Sequence, residues 1–130
     1  MTHSVEVFSD GTLKIDKQTS DDEVILNLSG KSIIRDSMDT LLPIFKASLE
    51  EAVSADKRLV LDFRPVSYMN SSSFAPVIKV LEKARTGKAH LAVLYNGNEK
   101  WQETSFSAMT IFKTVDGRIS IDGESDDVRH

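Results

Sequence analysis

The chain has no cysteine, which excludes a disulfide framework and any thiolate-ligated metal. Histidine is scarce: His3 and His130 stand near the ends and His90 opens an apolar run, so no pair has metal-ligand spacing. No Gly-x-Ser-x-Gly elbow occurs. The expectation is a protein that is not an enzyme and that uses no metal and no cofactor. Long apolar runs are also missing, so no membrane span and no direct membrane insertion are expected. Positive charge is in deficit, with 16 Lys and Arg against 20 Asp and Glu. The resulting net charge of −4 argues against binding nucleic acid, which needs basic surface. The first six residues, Met1-Thr2-His3-Ser4-Val5-Glu6, lack the basic and apolar regions of a signal peptide, and the expected compartment is the cytoplasm. No internal repeat, linker or low-complexity block is visible.

What is present suits one soluble domain. The 130 residues are 40% hydrophobic and 28% charged, enough for one core without covalent staples. Val5 to Phe8 is β-prone and Asp10-Gly11 is a hairpin-type turn. Leu13 to Lys17 alternates as a half-exposed strand does, and Val24 to Leu28 reads as a central strand. These two should pair antiparallel around Ser20-Asp21-Asp22. A helix follows, with Met38, Leu41, Leu42, Phe45, Leu49, Ala52 and Val53 on one stripe. Pro43 favours a start near Asp39 or Thr40, because a proline is harmless only in the first turn; the alternative is a kink at Pro43.

Leu59 to Phe63 is the next buried strand, followed by Tyr68-Met69-Asn70 and the serines Ser71, Ser72 and Ser73. A second helix runs on to Arg85, with Phe74, Val77, Ile78 and Leu81 on its stripe and Gly87 placed to end it in a left-handed conformation. Pro76 favours a cap at Ser72 or Ser73, which leaves the Ser71 hydroxyl freer. His90 to Tyr95 reads as a strand buried on both faces. A third helix, which Asn98 can cap, carries Trp101, Ser105, Ala108 and Phe112 on one side, and a short strand Arg118 to Ile121 closes the order. Residues 1–12 read as an extension with a possible extra strand, residues 13–121 as the domain, and residues 122–130 as a polar, disordered tail. Strand–helix alternation after the first hairpin implies a mostly parallel sheet of about five strands packed with helices.

Three hydroxyls therefore stand where a buried strand hands over to a helix N-terminus. There unpaired N–H groups and the positive end of the helix dipole collect. A serine at such a place can cap the helix, or it can accept a phosphoryl group that the same geometry tolerates. A nucleophilic hydrolase would need a positioned base, and the sequence offers none nearby.

The stretch Leu59-Val60-Leu61-Asp62-Phe63, then Val66-Ser67-Tyr68-Met69-Asn70-Ser71-Ser72-Ser73-Phe74, resembles the STAS domain of bacterial anti-sigma factor antagonists. Leu28-Ser29-Gly30, the strand Leu91 to Tyr95 and Ile111-Phe112 echo it in the same order. The resemblance covers about Leu13 to Ile121 and implies a STAS-like, SpoIIAA-like α/β fold. It also implies a binding module that engages an anti-sigma factor acting as a serine kinase of the histidine-kinase-like ATPase fold. Phosphorylation would release the complex, and a PPM-type serine phosphatase would restore it. The family phosphoacceptor falls on Ser71, with Asn70, Ser72, Ser73, Phe74, Ile33 and Ile34 as partner-binding candidates. The chain departs from the family pattern at three points. Asn70 replaces the usual Asp, Ser73 replaces the usual Gly, and Lys31-Ser32-Ile33 follows Gly30 where an Asp is usual. The alternative implied by Asn70 is a STAS subunit that is never phosphorylated and serves as a structural partner in a transporter or signalling assembly.

Overall fold

The computed structural model describes residues 3–124. Its elements are β1 (His3–Ser9), β2 (Leu13–Thr19), β3 (Glu23–Ser32), α1 (Ser37–Ser54), β4 (Arg58–Asp62), β5 (Val66–Met69), α2 (Phe74–Thr86), β6 (His90–Asn96), α3 (Lys100–Ser107) and β7 (Ile119–Glu124). A 3-10 turn, Ser71–Ser73, leads into α2, and a second, Ala108–Phe112, follows α3. The sheet has seven strands, in the order β1-β2-β3-β4-β6-β7, with β5 pairing β3. The expectation of about five strands is corrected at two places. The N-terminal segment forms a full edge strand antiparallel to β2, and the spacer before the serines forms β5, parallel to the end of β3.

From β3 to β7 every pairing is parallel, and each crossover steps the same way across the sheet. Right-handed crossovers that all step one way keep their helices on one face. The core follows: Val24, Leu26 and Leu28 from β3, Leu59 and Leu61 from β4, and Leu91 and Val93 from β6 are buried with Leu41, Phe45, Val77 and Leu81 from the helices. The alternate residues Ile25, Val60, Ala92 and Leu94 line a hollow on the opposite face, among the polar side chains Asn27, Asp62 and Ser120. His90 to Tyr95 is therefore covered by helices on one face only, and Leu94 is partly exposed. Its apolar composition reflects its place inside the sheet, flanked by β4 and β7.

Local chemistry sets the turns. Asp10 Oδ1 accepts from Thr12 N at 2.9 Å and from Leu13 N at 2.8 Å. The Leu13 bond holds the Asp10 carboxyl below the ordinary aspartate range, against the opposing effect of slight burial. Gly30 has φ 94°, and a Cβ there would stand 2.0 Å from the Thr12 carbonyl oxygen, so the β2–β3 crossing requires glycine. The first helix begins at Ser37, earlier than Asp39: Thr40 N already donates to Asp36 O at 2.9 Å, in regular helical register. Pro43 accordingly lies inside α1 and contributes no N–H to its ladder.

The end of α2 differs from expectation as well. Gly87 is extended, at φ −101° and ψ −153°. The carbonyls it would have helped to satisfy are taken by an arginine from far along the chain. Arg118 Nη1 donates to Ala84 O at 2.7 Å and Ala89 O at 2.8 Å, and its Nη2 donates to Arg85 O at 3.1 Å. A guanidinium on the last turn also suits the negative end of the helix dipole. At the chain's end β7 runs to Glu124, so residues 122–124 belong to the sheet, and the rest of the expected tail lies outside the described residues.

In α3 the inward residues are Gln102 and Phe106, followed by Met109 in the 3-10 turn, while Ala108 is exposed and Trp101 and Phe112 are half-buried. The expected stripe is thus rotated. Phe106 stacks on Tyr95 at 5.4 Å between ring centroids and meets Phe63 at 5.0 Å. Burial, and then the Glu103 side chain, push the Tyr95 phenol above its ordinary value. Gln102 is fully buried, and its amide ties three segments together. Nε2 donates to Phe63 O at 3.0 Å and Val66 O at 2.8 Å, and Oε1 accepts from Asn96 N at 2.7 Å. This clamp fixes the exit of β4 against the entry of β5, and so the approach to the serines.

Candidate functional site

The serines lie where β5, the end of β3 and the start of α1 converge on the N-terminus of α2. Asn70 organises them. Its backbone N–H donates to Ser32 O at 2.9 Å, which holds it on the end of β3. Its Oδ1 accepts from Ser73 N at 3.1 Å, Ser73 Oγ at 2.5 Å and Ser72 Oγ at 3.2 Å, and its Nδ2 donates to Ile34 O at 3.2 Å. The side-chain cap of this turn is therefore Asn70, and neither Ser72 nor Ser73 supplies it. An asparagine can do this because one end of its amide accepts while the other donates. The donor on Ile34 O is what an aspartate at this position would lack.

Ser73 is fully buried. Its Oγ lies 2.6 Å from Ser32 Oγ and 3.5 Å from Ser37 Oγ, so it joins a closed hydroxyl cluster at the base of the turn. It cannot meet a partner, and the expectation that it would is corrected. Ser72 is exposed but engaged, donating to Ile34 O at 3.0 Å. Ser71 is exposed, and its hydroxyl makes no hydrogen bond among the described residues. The three neighbouring serines thus divide into a buried strut, a surface brace and a free hydroxyl. The pairing of Ser32 and Ser37 with Ser73 is not legible in the sequence, because the partners lie 41 and 36 residues apart. No local spacing encodes such a pairing.

The surface that converges on Ser71 carries exposed apolar side chains. Ile33, Met38 and Tyr68 are 50%, 39% and 49% exposed, on three elements that converge here. Ile34 is half-buried against the core, and so is Phe74, whose ring meets Phe106 at 5.7 Å. Met38, expected on the core stripe of α1, faces outward instead. The first turn of α2 holds no acidic residue, and on the stretch from β3 into α1 the exposed Lys31 and Arg35 are balanced by the exposed Asp36 and Asp39. Among the described residues, the partners of Ser72 and Ser73 are amide, hydroxyl and carbonyl groups. None of these is a base that could activate a nucleophile.

The role of Asn70 is testable by stability. Asn70→Ala removes the side-chain cap, while Ser73 N keeps the Asn70 carbonyl and Ile34 O keeps the Ser37 and Ser72 hydroxyls, so the expected loss in urea denaturation is about 1 kcal/mol. Asn70→Asp retains the acceptor at a helix N-terminus and should lose less. Equal stability of all three proteins would remove Asn70 as the organiser of the turn.

Comparison with solved structures bears on the fold. No protein-family model matches the sequence, and no curated protein matches it. The structure is similar to an anti-sigma factor antagonist from Mycobacterium paratuberculosis, with TM-score 0.60 and 17% identity over 85% of this chain and 95% of that one. It is also similar to an uncharacterised protein from Shewanella loihica PV-4 with a SpoIIAA-like fold, with TM-score 0.51 and 17% identity over 95% of this chain and 92% of that one. The chain has the SpoIIAA-like fold, the fold of that anti-sigma factor antagonist. No helix among the described residues is long and apolar enough to cross a membrane.

Proposed function

We propose that this protein is a phosphorylation-switched binding module of the anti-sigma factor antagonist kind, with Ser71 as the acceptor. In its unphosphorylated form it binds an anti-sigma factor that is also a serine kinase of the histidine-kinase-like ATPase fold. Phosphorylation of Ser71 releases it, and a PPM-type phosphatase returns it to the binding state, all within the cytoplasm. The observation that carries this reading is the exposed, unengaged Ser71 hydroxyl, held at the head of α2 by a turn that other residues fix. Asn70, Ser72, Phe74, Ile33 and Ile34 form the surrounding contact surface, joined by Met38 and Tyr68.

The physics is a difference between the free and docked states. A phosphoryl group adds about −1.5 to −2 charges at neutral pH. In the free protein those charges meet water and the positive end of α2, where they are stabilised. In a docked interface they would have to be desolvated against an apolar rim, at a cost of several kcal/mol. The fold survives and the complex does not. Asn70 fits this reading, because a neutral amide beside the acceptor repels the phosphate less than a carboxylate would.

The test is to incubate the purified protein with its cognate kinase and ATP and to locate the phosphate by peptide mass spectrometry. One phosphate on Ser71 is the expected result. Phosphate on Ser72 alone would move the acceptor by one residue, and an unmodified chain would overturn the switch.

A further inference from the structure

A second surface lies away from the serines, on the outer side of the helical layer. Two adjoining hollows of about 330 and 450 Å³ run between α1 and α2, and both are lined by Lys83 and Thr86. Together they make one groove. Leu42 and Val53 form its α1 wall above the buried Leu49, and Val53 is 50% exposed. Eleven residues separate Leu42 from Val53, so the groove follows α1 for about three turns, roughly 16 Å. Its rim carries Lys46, Lys79, Lys83 and Lys88 against Glu50 and Glu82. Four positive and two negative side chains leave a surplus of two positive charges, on a chain whose net charge is −4. Lys79 and Glu82 approach to only 3.8 Å and are well exposed, so they neutralise each other weakly.

We infer that this groove is a docking site for an acidic amphipathic helix of a partner protein, separate from the Ser71 surface. The walls select the form of the occupant. Both are helices whose backbone groups are bonded internally, so an extended segment would find no ladder to join and would leave its own backbone unpaired. A helix satisfies its own backbone and can lay an apolar stripe along Leu42 and Val53. The lysines select its charge: glutamates or aspartates flanking that stripe would face them. The site goes beyond the proposed switch and does not depend on it. Lys79 lies five residues, about 7.5 Å, into α2, and Leu42 lies one turn beyond Met38 on α1; from that end the groove runs away from Ser71 to Lys88.

The experiment uses the full chain labelled with nitrogen-15 and a helical peptide of about 14 residues, its leucines at three- and four-residue spacing and its flanks glutamate. Controls are the same composition scrambled, and a version with lysine in place of glutamate. Saturable amide shifts are expected along α1 and α2 at Leu49, Val53, Lys83 and Thr86, with binding that weakens as salt rises. Lys46→Glu with Lys83→Glu should weaken binding at least about tenfold with an unchanged circular dichroism spectrum. Should that pair disturb the fold, Lys46→Gln with Lys83→Gln should still weaken it severalfold. Ser71→Glu should leave the affinity within about twofold. Equal binding of the scrambled or lysine peptide, shifts centred elsewhere, or no saturable change by about 1 mM peptide would overturn the inference. Concentration-dependent shifts of the same amides without peptide would also overturn it, by giving the groove to a second copy of this chain.

Discussion

Replacing Ser71 by glutamate is expected to abolish binding to the partner kinase, weakening it by about two orders of magnitude or more, while Ser71→Ala binds as tightly as the unmodified protein and can no longer be released by ATP. The reason lies in the free hydroxyl. The Ser71 hydroxyl makes no hydrogen bond among the described residues, so its removal leaves no protein group unsatisfied. A carboxylate in its place meets water in the free protein. In the complex it must be stripped of that water, and truncating or mismatching a buried charge in an interface costs about 2–5 kcal/mol. Isothermal titration with the partner, run beside thermal melts of the three proteins, separates binding from folding. The two variants should melt close to the unmodified protein. The same substitution at Ser73 is a useful contrast: Ser73→Glu would bury a charge among Ser32, Ser37 and Asn70 and should unfold the turn itself.

The second large effect is on stability and comes from Gln102. Gln102→Leu should destabilise the protein by about 3 kcal/mol and lower its melting temperature by on the order of 10 °C. The Phe63 carbonyl keeps the Val66 N–H as a partner at 3.0 Å. The Val66 carbonyl loses the amide donor and the Asn96 N–H loses its side-chain acceptor. The first is buried and the second part-buried, and an orphaned buried group costs about 1–3 kcal/mol. Gln102→Glu tests whether the amide acts as a donor. It preserves size and the acceptor toward Asn96, but turns an oxygen toward two carbonyls, and should also be destabilised. Denaturant unfolding of the two variants measures both. A protein unchanged by Gln102→Leu would show that the clamp between β4, β5 and β6 contributes nothing.

These two positions show what the sequence makes legible. The strand–turn–helix at Leu59 to Leu81 could be read because it is local: apolar runs set the strand and the helix face, and serines mark the junction between them. The freedom of Ser71 was reachable by the same means, since Pro76 restricts where α2 can be capped. The identity of the cap was not. Asn70 outcompetes the serines because its carbonyl can collect three donors while its amide reaches Ile34 O, and that carbonyl comes from a segment 36 residues earlier. Gln102 was hidden for a similar reason. A polar residue on the inner face of α3 breaks the apolar stripe, and only the tertiary fold supplies the carbonyls that make it acceptable.

Gly87 shows the opposite failure. Glycine just past a helix suggests a left-handed cap, but Arg118 arrives from 29 residues beyond the nearest carbonyl it binds and makes that cap unnecessary. Strand number was underestimated because β1 and β5 are short or peripheral, and a strand at an edge or beyond the end of its neighbour carries a weak alternation signal. The one-sided helical layer follows from strand order, which periodicity within a strand does not encode. The groove between α1 and α2 depends in turn on the packing of two helices whose outward lysines each look like ordinary solvated charge.

The central claim is that negative charge at Ser71 ends a protein–protein complex without disturbing the fold. The most direct measurement is a titration of the partner kinase with two samples of this protein, one unmodified and one phosphorylated stoichiometrically on Ser71. Both samples should melt at nearly the same temperature, and only the unmodified one should bind. Equal affinity of the two samples would contradict the account.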